Sequence, residues 1–314
     1  MKYKLDEELK SLSMLSGSLV GRFYPLINAG YSRYKCKSDD DVTVTAYSAS
    51  GYEEGELSTL VIEPKECSGK LPCIVFYHGG GFLLKASQAH YQVVKWYASK
   101  ANCKVVFADY RLLPENRYPV AVEDCYATYM WALENADMIG IDSDRIIVSG
   151  DSAGGNIACA VTMMLKDRNM PLPKGVLLVY PVLDKRMQTE SMKNFTDTPI
   201  WDSCCNEWFW DMYLNEEDKF SAKYASISEA ESVNYFPSTY VEVAEFDCLH
   251  DEGVEFAKRL ESEGISVEVH DIKGACHGFE SVLKSTMVEE AIKRRIAWIT
   301  SIFDCNNSNE TEHR

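Results

Sequence analysis

The chain lacks any apolar run approaching the ~20 residues that a helix needs to cross a bilayer. It is also poor in positive charge: 32 Lys and Arg stand against 48 Asp and Glu, a formal net charge of −16. A surface with that balance repels phosphate backbones and anionic lipid, which argues against nucleic-acid and membrane partners. There is no Cys-x-x-Cys pair, and the adjacent Cys204 and Cys205 do not suit a zinc site. The eleven cysteines are odd in number, and Cys73, Cys103, Cys125 and Cys159 fall inside apolar segments, where a thiol packs as a small hydrophobe. Reduced thiols in a cytoplasmic protein are therefore expected, and the Asn-x-Ser/Thr triplets at Asn194, Asn306 and Asn309 then carry no meaning. Residues 1–20 lack a signal peptide's basic start and small-x-small cleavage site, since Asp6, Glu7 and Glu8 come early. Leu5, Leu9, Leu12, Leu15 and Leu19 recur there at three- and four-residue steps, which predicts an amphipathic helix.

What is present is an ordinary globular composition, 46% hydrophobic and 25% charged over 314 residues. That is enough for one large α/β domain with insertions or for two ordinary domains. No internal repeat or low-complexity linker interrupts it. Eight β-rich runs alternate with helix-length segments: DVTVTAYS, ELSTLVIEP, PCIVFYH, CKVVFADY, RIIVSG, GVLLVYP, TYVEVAEFD and SVEVHDIKG. Helices are predicted at 88–100, 119–135, 153–168 and 251–263. Continuous apolar strands joined by crossover helices predict a mostly parallel sheet covered on both faces. The first two strands have no helix between them, which predicts a hairpin at the sheet edge. Two regions break the alternation, residues 1–40 and 185–235. The second carries Trp201, Trp208, Phe209, Trp210 and Tyr213, and a long insertion of this kind suggests a lid over a cleft. The expected division is thus 1–40, a core from 41–184 and 236–304 around the 185–235 insertion, and a polar tail, 305–314.

The chemistry-bearing residues lie where these strands end. Gly150-Asp151-Ser152-Ala153-Gly154 stands between the RIIVSG strand and a helix. A tight turn is one reading; a nucleophilic serine on a sharp elbow is the other. His78-Gly79-Gly80-Gly81-Phe82 directly follows the PCIVFY strand, and its unshielded N–H groups suit an oxyanion hole. A phosphate-cradling loop does not fit, because no Gly-Lys-Ser/Thr follows. Serine catalysis also needs a base and an orienting carboxylate. Of the six histidines, His313 lies in the tail, His90 in a helix and His270 in a strand, where structural roles are the default. His78 shapes the glycine loop, and His250 follows Asp247 at a metal-like spacing without further ligands. His277 sits in a loop just after the last strand, where active sites assemble in parallel sheets. Asp247 ends the seventh strand and is the candidate acid, while Asp251 and Glu252 suit the start of the following helix. The order Ser152, Asp247, His277 is that of an α/β-hydrolase triad.

Taken together, HGGGF at 78–82, DYRLLPENRYPVAVED at 109–124, GDSAGGN at 150–156, D-x-L-x-D-E-G at 247–253 and HGF at 277–279 resemble the hormone-sensitive-lipase branch of the α/β hydrolases. That branch includes the bacterial family IV esterases and the arylacetamide-deacetylase relatives, and the likeness covers about 40–300. It implies the α/β-hydrolase fold, a mostly parallel eight-stranded sheet flanked by helices with a helical cap made of the N-terminal segment and 185–235. It implies Ser152 as nucleophile, His277 as base and Asp247 as its carboxylate. The oxyanion hole would comprise N–H groups of Gly80, Gly81 and Ala153, with Gly79 shaping it. Arg111 and Asp124 belong to motifs whose role is structural. Cys248 stands where relatives often have proline, and Lys85 where a glycine is common. The implied activity is hydrolysis of small, short-chain carboxylic esters with water as co-substrate, no metal and no organic cofactor. His277 must be neutral to accept the serine proton, so activity should fall on acidification. Amide, lactone or carbamate cleavage with the same triad, a ligand-binding protein like the plant gibberellin receptors, and a thiol-dependent protein are the rivals. Relatives that pair through their last strand suggest a homodimer.

Overall fold

The computed structural model describes residues 2–218 and 222–305. Strands β1 (Val42–Ser50) and β2 (Glu56–Pro64) form the expected antiparallel hairpin at one edge. Strands β3 (Leu71–Tyr77) and β4 (Lys104–Asp109) are parallel neighbours, with β4 antiparallel to β2. The sheet continues in parallel from β3 through β5 (Ile141–Asp151), β6 (Gly175–Val179), β7 (Ser238–Phe246) and β8 (Val267–Cys276). The order is β1-β2-β4-β3-β5-β6-β7-β8. All eight expected strands are there.

Helix α1 (Gly17–Tyr31) precedes the sheet. Helix α2 (Gln88–Lys100) links β3 to β4, and α3 (Val120–Glu134) with the short α4 (Ala136–Ile139) links β4 to β5. Helix α5 (Ala153–Asp167) follows β5, while α6 (Glu190–Asn194) and α7 (Ser203–Tyr213) lie between β6 and β7. Helix α8 (His250–Ser262) joins β7 to β8, and α9 (Thr286–Asp304) follows β8. Strand side chains alternate between the faces. Cys73, Val75 and Tyr77 of β3 pack with residues of α3, α5 and α8; Ile74 and Phe76 pack with α2 and α9. Burial on both faces is why β3 is apolar throughout rather than at every second position. Helix α5 is buried from Ala153 to Leu165, and its small first-turn residues let it lie close to the sheet.

The N-terminal segment differs from the single helix expected. A 3-10 helix over Glu7–Met14 buries Leu9 and Leu12, and Leu5 just before it is also buried, all against the α2/α9 side of the sheet. The chain then breaks at Leu15, which is 48% exposed, before α1 begins. The break is held by a bridge between Ser16 and Pro199 and by the Ile200 N–H donating to the Leu15 carbonyl at 2.9 Å. The Leu19 side chain lies outside the described residues. Two segments remote in sequence thus meet over the sheet: α1 packs on α7, with Gly21 facing the Trp208 ring and Gly17 facing Asp202 and Cys205. This is the helical cap. Of the predicted tail, Cys305 alone is described; His313, Asn306 and Asn309 lie outside.

Candidate active site

Strand β5 runs directly into α5, and the residue at the junction is Ser152, with φ 54° and ψ −119°. A non-glycine residue at positive φ is strained and persists only where its surroundings over-determine it. Here they do. The Ser152 N–H donates to the Val179 carbonyl at 2.8 Å, and its own carbonyl takes the N–H groups of Gly155 and Val182. A Cβ on Gly154 would lie 1.9 Å from the Tyr77 carbonyl oxygen, and one on Gly150 would lie 2.1 Å from that of Gly154. Only glycine lets the helix start approach β3 and β5 so closely. The result is a hydroxyl at the N-terminus of α5, where unpaired N–H groups and the helix dipole favour negative charge.

His277 follows the last residue of β8 and Asp247 the last residue of β7. The structure brings His277 to Ser152 across 125 residues and to Asp247 across 30. His277 Nε2 lies 2.9 Å from Ser152 Oγ, and Nδ1 lies 2.7 Å from Asp247 Oδ2. A carboxylate only accepts, so Nδ1 carries the proton and Nε2 presents its lone pair to the serine hydroxyl. Asp247 is fully buried, and its second oxygen accepts the Leu249 N–H at 3.0 Å. Ser152 and His277 are each 5% exposed. The imidazole is flanked by Tyr180 and Trp201, with ring centroids 4.5 and 6.1 Å away.

The glycine loop leaves β3 with Gly80 and Gly81 at φ 110° and 61°, a region that disfavours any other residue. A Cβ on Gly81 would lie 2.8 Å from the Trp201 ring. Gly79 differs from the others. Its N–H donates to Asp151 Oδ1 at 3.2 Å, and a Cβ there would lie 2.3 Å from Asp151 Oδ2. That donor is already engaged, so Gly79 anchors the loop and leaves Gly80, Gly81 and Ala153 as the candidate oxyanion donors.

His90 and Asp151 were missed in the sequence as a working pair. His90 Nε2 lies 3.1 Å from Asp151 Oδ2, and the Ser87 N–H donates to Nδ1 at 2.9 Å, which puts the ring proton on Nε2. Burial works to raise the Asp151 carboxyl, but His90, His78 and the Gly79 N–H together outweigh it and hold it below the usual carboxylate range. The only signal available was that Asp151 precedes Ser152. His78 stacks on Tyr110 at 4.5 Å and on Phe107 at 5.7 Å, and burial pushes it down to about 4, so the ring is neutral. Its Nδ1–H donates to the Gly79 carbonyl at 2.8 Å.

Other singled-out residues fall elsewhere. His250 rests against Asp251 and Asp271, and His270 against Glu268. Arg111 grips Asp124 through two hydrogen bonds of 2.9 and 2.7 Å, and Asp124 also accepts the Tyr52 N–H, a brace for the β1–β2 turn. Asp251 and Glu252 stand in the first turn of α8, as expected, but Glu252 does not face solvent. It is buried, accepts the Leu183 N–H at 2.6 Å, and burial raises its carboxyl well above the ordinary range. Cys248 and Cys276 flank Asp247 and His277; burial pushes both thiols up, Cys276 to about 12, so neither is a thiolate at neutral pH.

A cleft of about 120 Å³ opens at the serine, lined by Gly80, Gly81, Ser152, Trp201, His277 and Lys85. The Lys85 amine is held by the Ser32 hydroxyl of the cap at 3.0 Å. Among the described aromatics of the insertion, Trp201 alone faces this space. Phe209 and Tyr213 stack on Phe82 with centroids 5.5 and 4.2 Å away, rooting α7 onto the glycine loop.

A serine hydroxyl already bonded to a carboxylate-oriented imidazole, on a strand–helix elbow in a mostly parallel sheet, defines a serine hydrolase. The match of residues 74–281 to the alpha/beta hydrolase fold family agrees, and the chain belongs to that family. It is related to bacterial esterases. It is 33% identical to esterase LipI of Mycobacterium tuberculosis over 72% of this chain and 71% of that protein. It is 36% identical to carboxylic ester hydrolase LipN of the same organism over 76% of this chain, which spans just under two thirds (64%) of LipN's own length. A solved bacterial heroin esterase superposes with a TM-score of 0.85 at 32% identity, covering 96% of this chain and 98% of that one.

Proposed function

We propose that this protein is a carboxylic ester hydrolase whose substrates are small esters with short acyl parts. The observation that carries the reading is the continuous line Ser152 Oγ–His277 Nε2–Asp247 Oδ2 at 2.9 and 2.7 Å. His277 takes the Ser152 proton as Oγ attacks the ester carbonyl, and the N–H groups of Gly80, Gly81 and Ala153 hold the resulting oxyanion. The alcohol leaves with the proton from His277. Water, deprotonated by the same base, then cleaves the acyl-enzyme and restores Ser152. Asp247 holds the ring and offsets the charge of the imidazolium. The small cleft supports short acyl chains, and so does its inner end, where Glu280 and Arg295 would disfavour a long alkyl tail.

The five ordered motifs support a finer placement, in the hormone-sensitive-lipase-like branch with its arylacetamide-deacetylase relatives. The packing of α1 on α7 supports reading 1–40 and 185–235 as one cap unit on a core of 41–184 and 236–304. Ten free thiols, from Cys36 to Cys276, favour a cytoplasmic protein, which fractionation of its own cells checks. Strand β8 is the outer strand on its side, with Val269 exposed, and supports pairing between two copies; light scattering tests this, and a monomer at every concentration counts against it.

The activity is tested with p-nitrophenyl esters from acetate to decanoate, wild type beside Ser152→Ala. Turnover concentrated in the short chains and lost in the variant is expected. A folded wild type that cleaves none of them, or a variant that cleaves them as fast, overturns the reading. Matched anilides in the same assay separate ester from amide cleavage.

A further inference from the structure

Helix α1 of the cap grips the glycine loop through the side-chain amide of Asn28. Its Nδ2 donates to the Leu83 carbonyl at 2.9 Å, and its Oδ1 accepts the Lys85 N–H at 2.8 Å. The two backbone partners fix which way the amide faces, since an N–H only donates and a carbonyl only accepts.

What this grip does follows from peptide geometry. The C=O and N–H of one trans peptide unit point in opposite directions across a rigid plane. The Leu83 carbonyl and the Leu84 N–H form one such unit, and Leu84 donates to the Gly80 carbonyl at 2.9 Å, joined there by the Leu83 N–H at 3.0 Å. The Gly80 carbonyl and the Gly81 N–H form another. A hydrogen-bonded chain therefore runs from Asn28 Nδ2 through the Leu83–Leu84 peptide and the Gly80–Gly81 peptide. It ends on the Gly81 N–H, one of the oxyanion donors proposed above. Gly80 and Gly81, at φ 110° and 61°, have no Cβ to restrict their backbone, so the hold on the Gly80 carbonyl sets where that N–H points. Each bond in such a chain also polarises the next in the same sense.

We infer that Asn28 is a positioning residue for catalysis: from the cap, it aims and polarises the Gly81 N–H toward the developing oxyanion. The cap is then part of the catalytic apparatus as well as the cover of the cleft. This rests on the esterase reading and on Gly81 as a donor.

The test compares wild type with Asn28→Ala, which removes both bonds, and with Asn28→Asp, which keeps the acceptor for Lys85 but turns an oxygen toward the Leu83 carbonyl. Asn28 is half-buried, and a thermal melt shows that each variant folds. Acylation and deacylation both pass through an oxyanion, so kcat for p-nitrophenyl acetate should fall about tenfold in each variant at nearly constant KM. That is less than the ~10²–10³ expected for a donor lost outright.

The second readout is inhibition by 1,1,1-trifluoro-2-hexanone. Ser152 Oγ adds to its carbonyl carbon while the Ser152 proton passes to His277, which leaves an oxyanion in the hole. Its Ki should rise by the factor by which kcat/KM falls, whereas 2-hexanol, which forms no adduct, should inhibit all three proteins alike. Unchanged kcat and Ki in the folded variants overturn the inference. So does a loss carried by KM with Ki unmoved, and so do variants that fail to fold, which would make Asn28 structural. In those cases wild type still cleaves the ester and the esterase reading stands. A folded wild type that neither cleaves the ester nor binds the ketone overturns both.

Discussion

His90 donates a 3.1 Å hydrogen bond to Asp151, the residue before Ser152, and Asp151 in turn takes the N–H of Gly79. The glycine loop after β3, the elbow after β5 and the first turn of α2 are therefore tied through one carboxylate. We expect His90→Ala to leave Ser152 and His277 in place but to loosen the loop that presents the oxyanion donors. Its kcat should fall by about 10- to 100-fold, since losing a single donor costs ~10²–10³, while KM changes little. Steady-state kinetics check this, and a rise in KM at unchanged kcat would assign the pair to binding instead.

Asp247→Asn should fold, because an amide keeps the shape and the Leu249 contact. It can donate to His277 Nδ1, which stabilises the tautomer that points a proton, rather than a lone pair, at Ser152. A loss of ~10⁴ in kcat is expected by analogy with other serine triads. Burst kinetics with a p-nitrophenyl ester measure it; a variant within tenfold of wild type would remove Asp247 from the triad.

Gly154→Ala tests the elbow itself. The added Cβ would fall 1.9 Å from a backbone oxygen of β3, which no rotamer relieves. The expected cost is at least ~3 kcal/mol, read as a lowered denaturation midpoint or as insoluble protein. Gly30→Ala, where nothing lies within 4 Å of the new carbon, is the matched control and should be close to neutral.

Glu252 supplies the pH dependence. Burial raises its carboxyl in the folded state, so between the unfolded value near ~4.3 and the higher folded value the native protein binds more protons than the unfolded chain. Stability from this group is complete below that window and is lost as pH rises through it. Glu252→Gln mimics the protonated form and lacks this loss. Its melting temperature relative to wild type should climb between pH 4 and pH 8; a difference that is flat with pH would show that Glu252 is ionised in the fold.

Much of the fold was legible because its signals are local. The unbroken apolar runs of β3, β4 and β6 announce strands buried on both faces, and α2, α3, α5 and α8 lie within about a residue of the spans read from the sequence. Ser152, Asp247 and His277 could be picked out because each follows a strand, and in a parallel sheet those ends converge. The N-terminal leucines misled for an instructive reason. Their spacing is helical, but Leu5, Leu9 and Leu12 pack on the sheet while the backbone turns after Leu15 so that Ser16 meets Pro199, far along the chain. The family resemblance set Gly79 apart from Gly80 and Gly81 as a shaping residue, but the physical reason, the Asp151 carboxylate beside its N–H, appears only in the fold.

The sequence by itself determined the class of fold, the strand order of chemistry and the three residues that meet, since periodicity, glycine placement and strand ends are properties of neighbours along the chain. The tertiary structure alone decided why Gly79 gives up its donor, that His90 braces the elbow, that Glu252 is a buried acid, that α1 packs on α7, and that Arg295 and Glu280 line the cleft. Those outcomes depend on desolvation and on hydrogen bonds between residues 15 to about 180 positions apart, and neither quantity exists until the chain has folded.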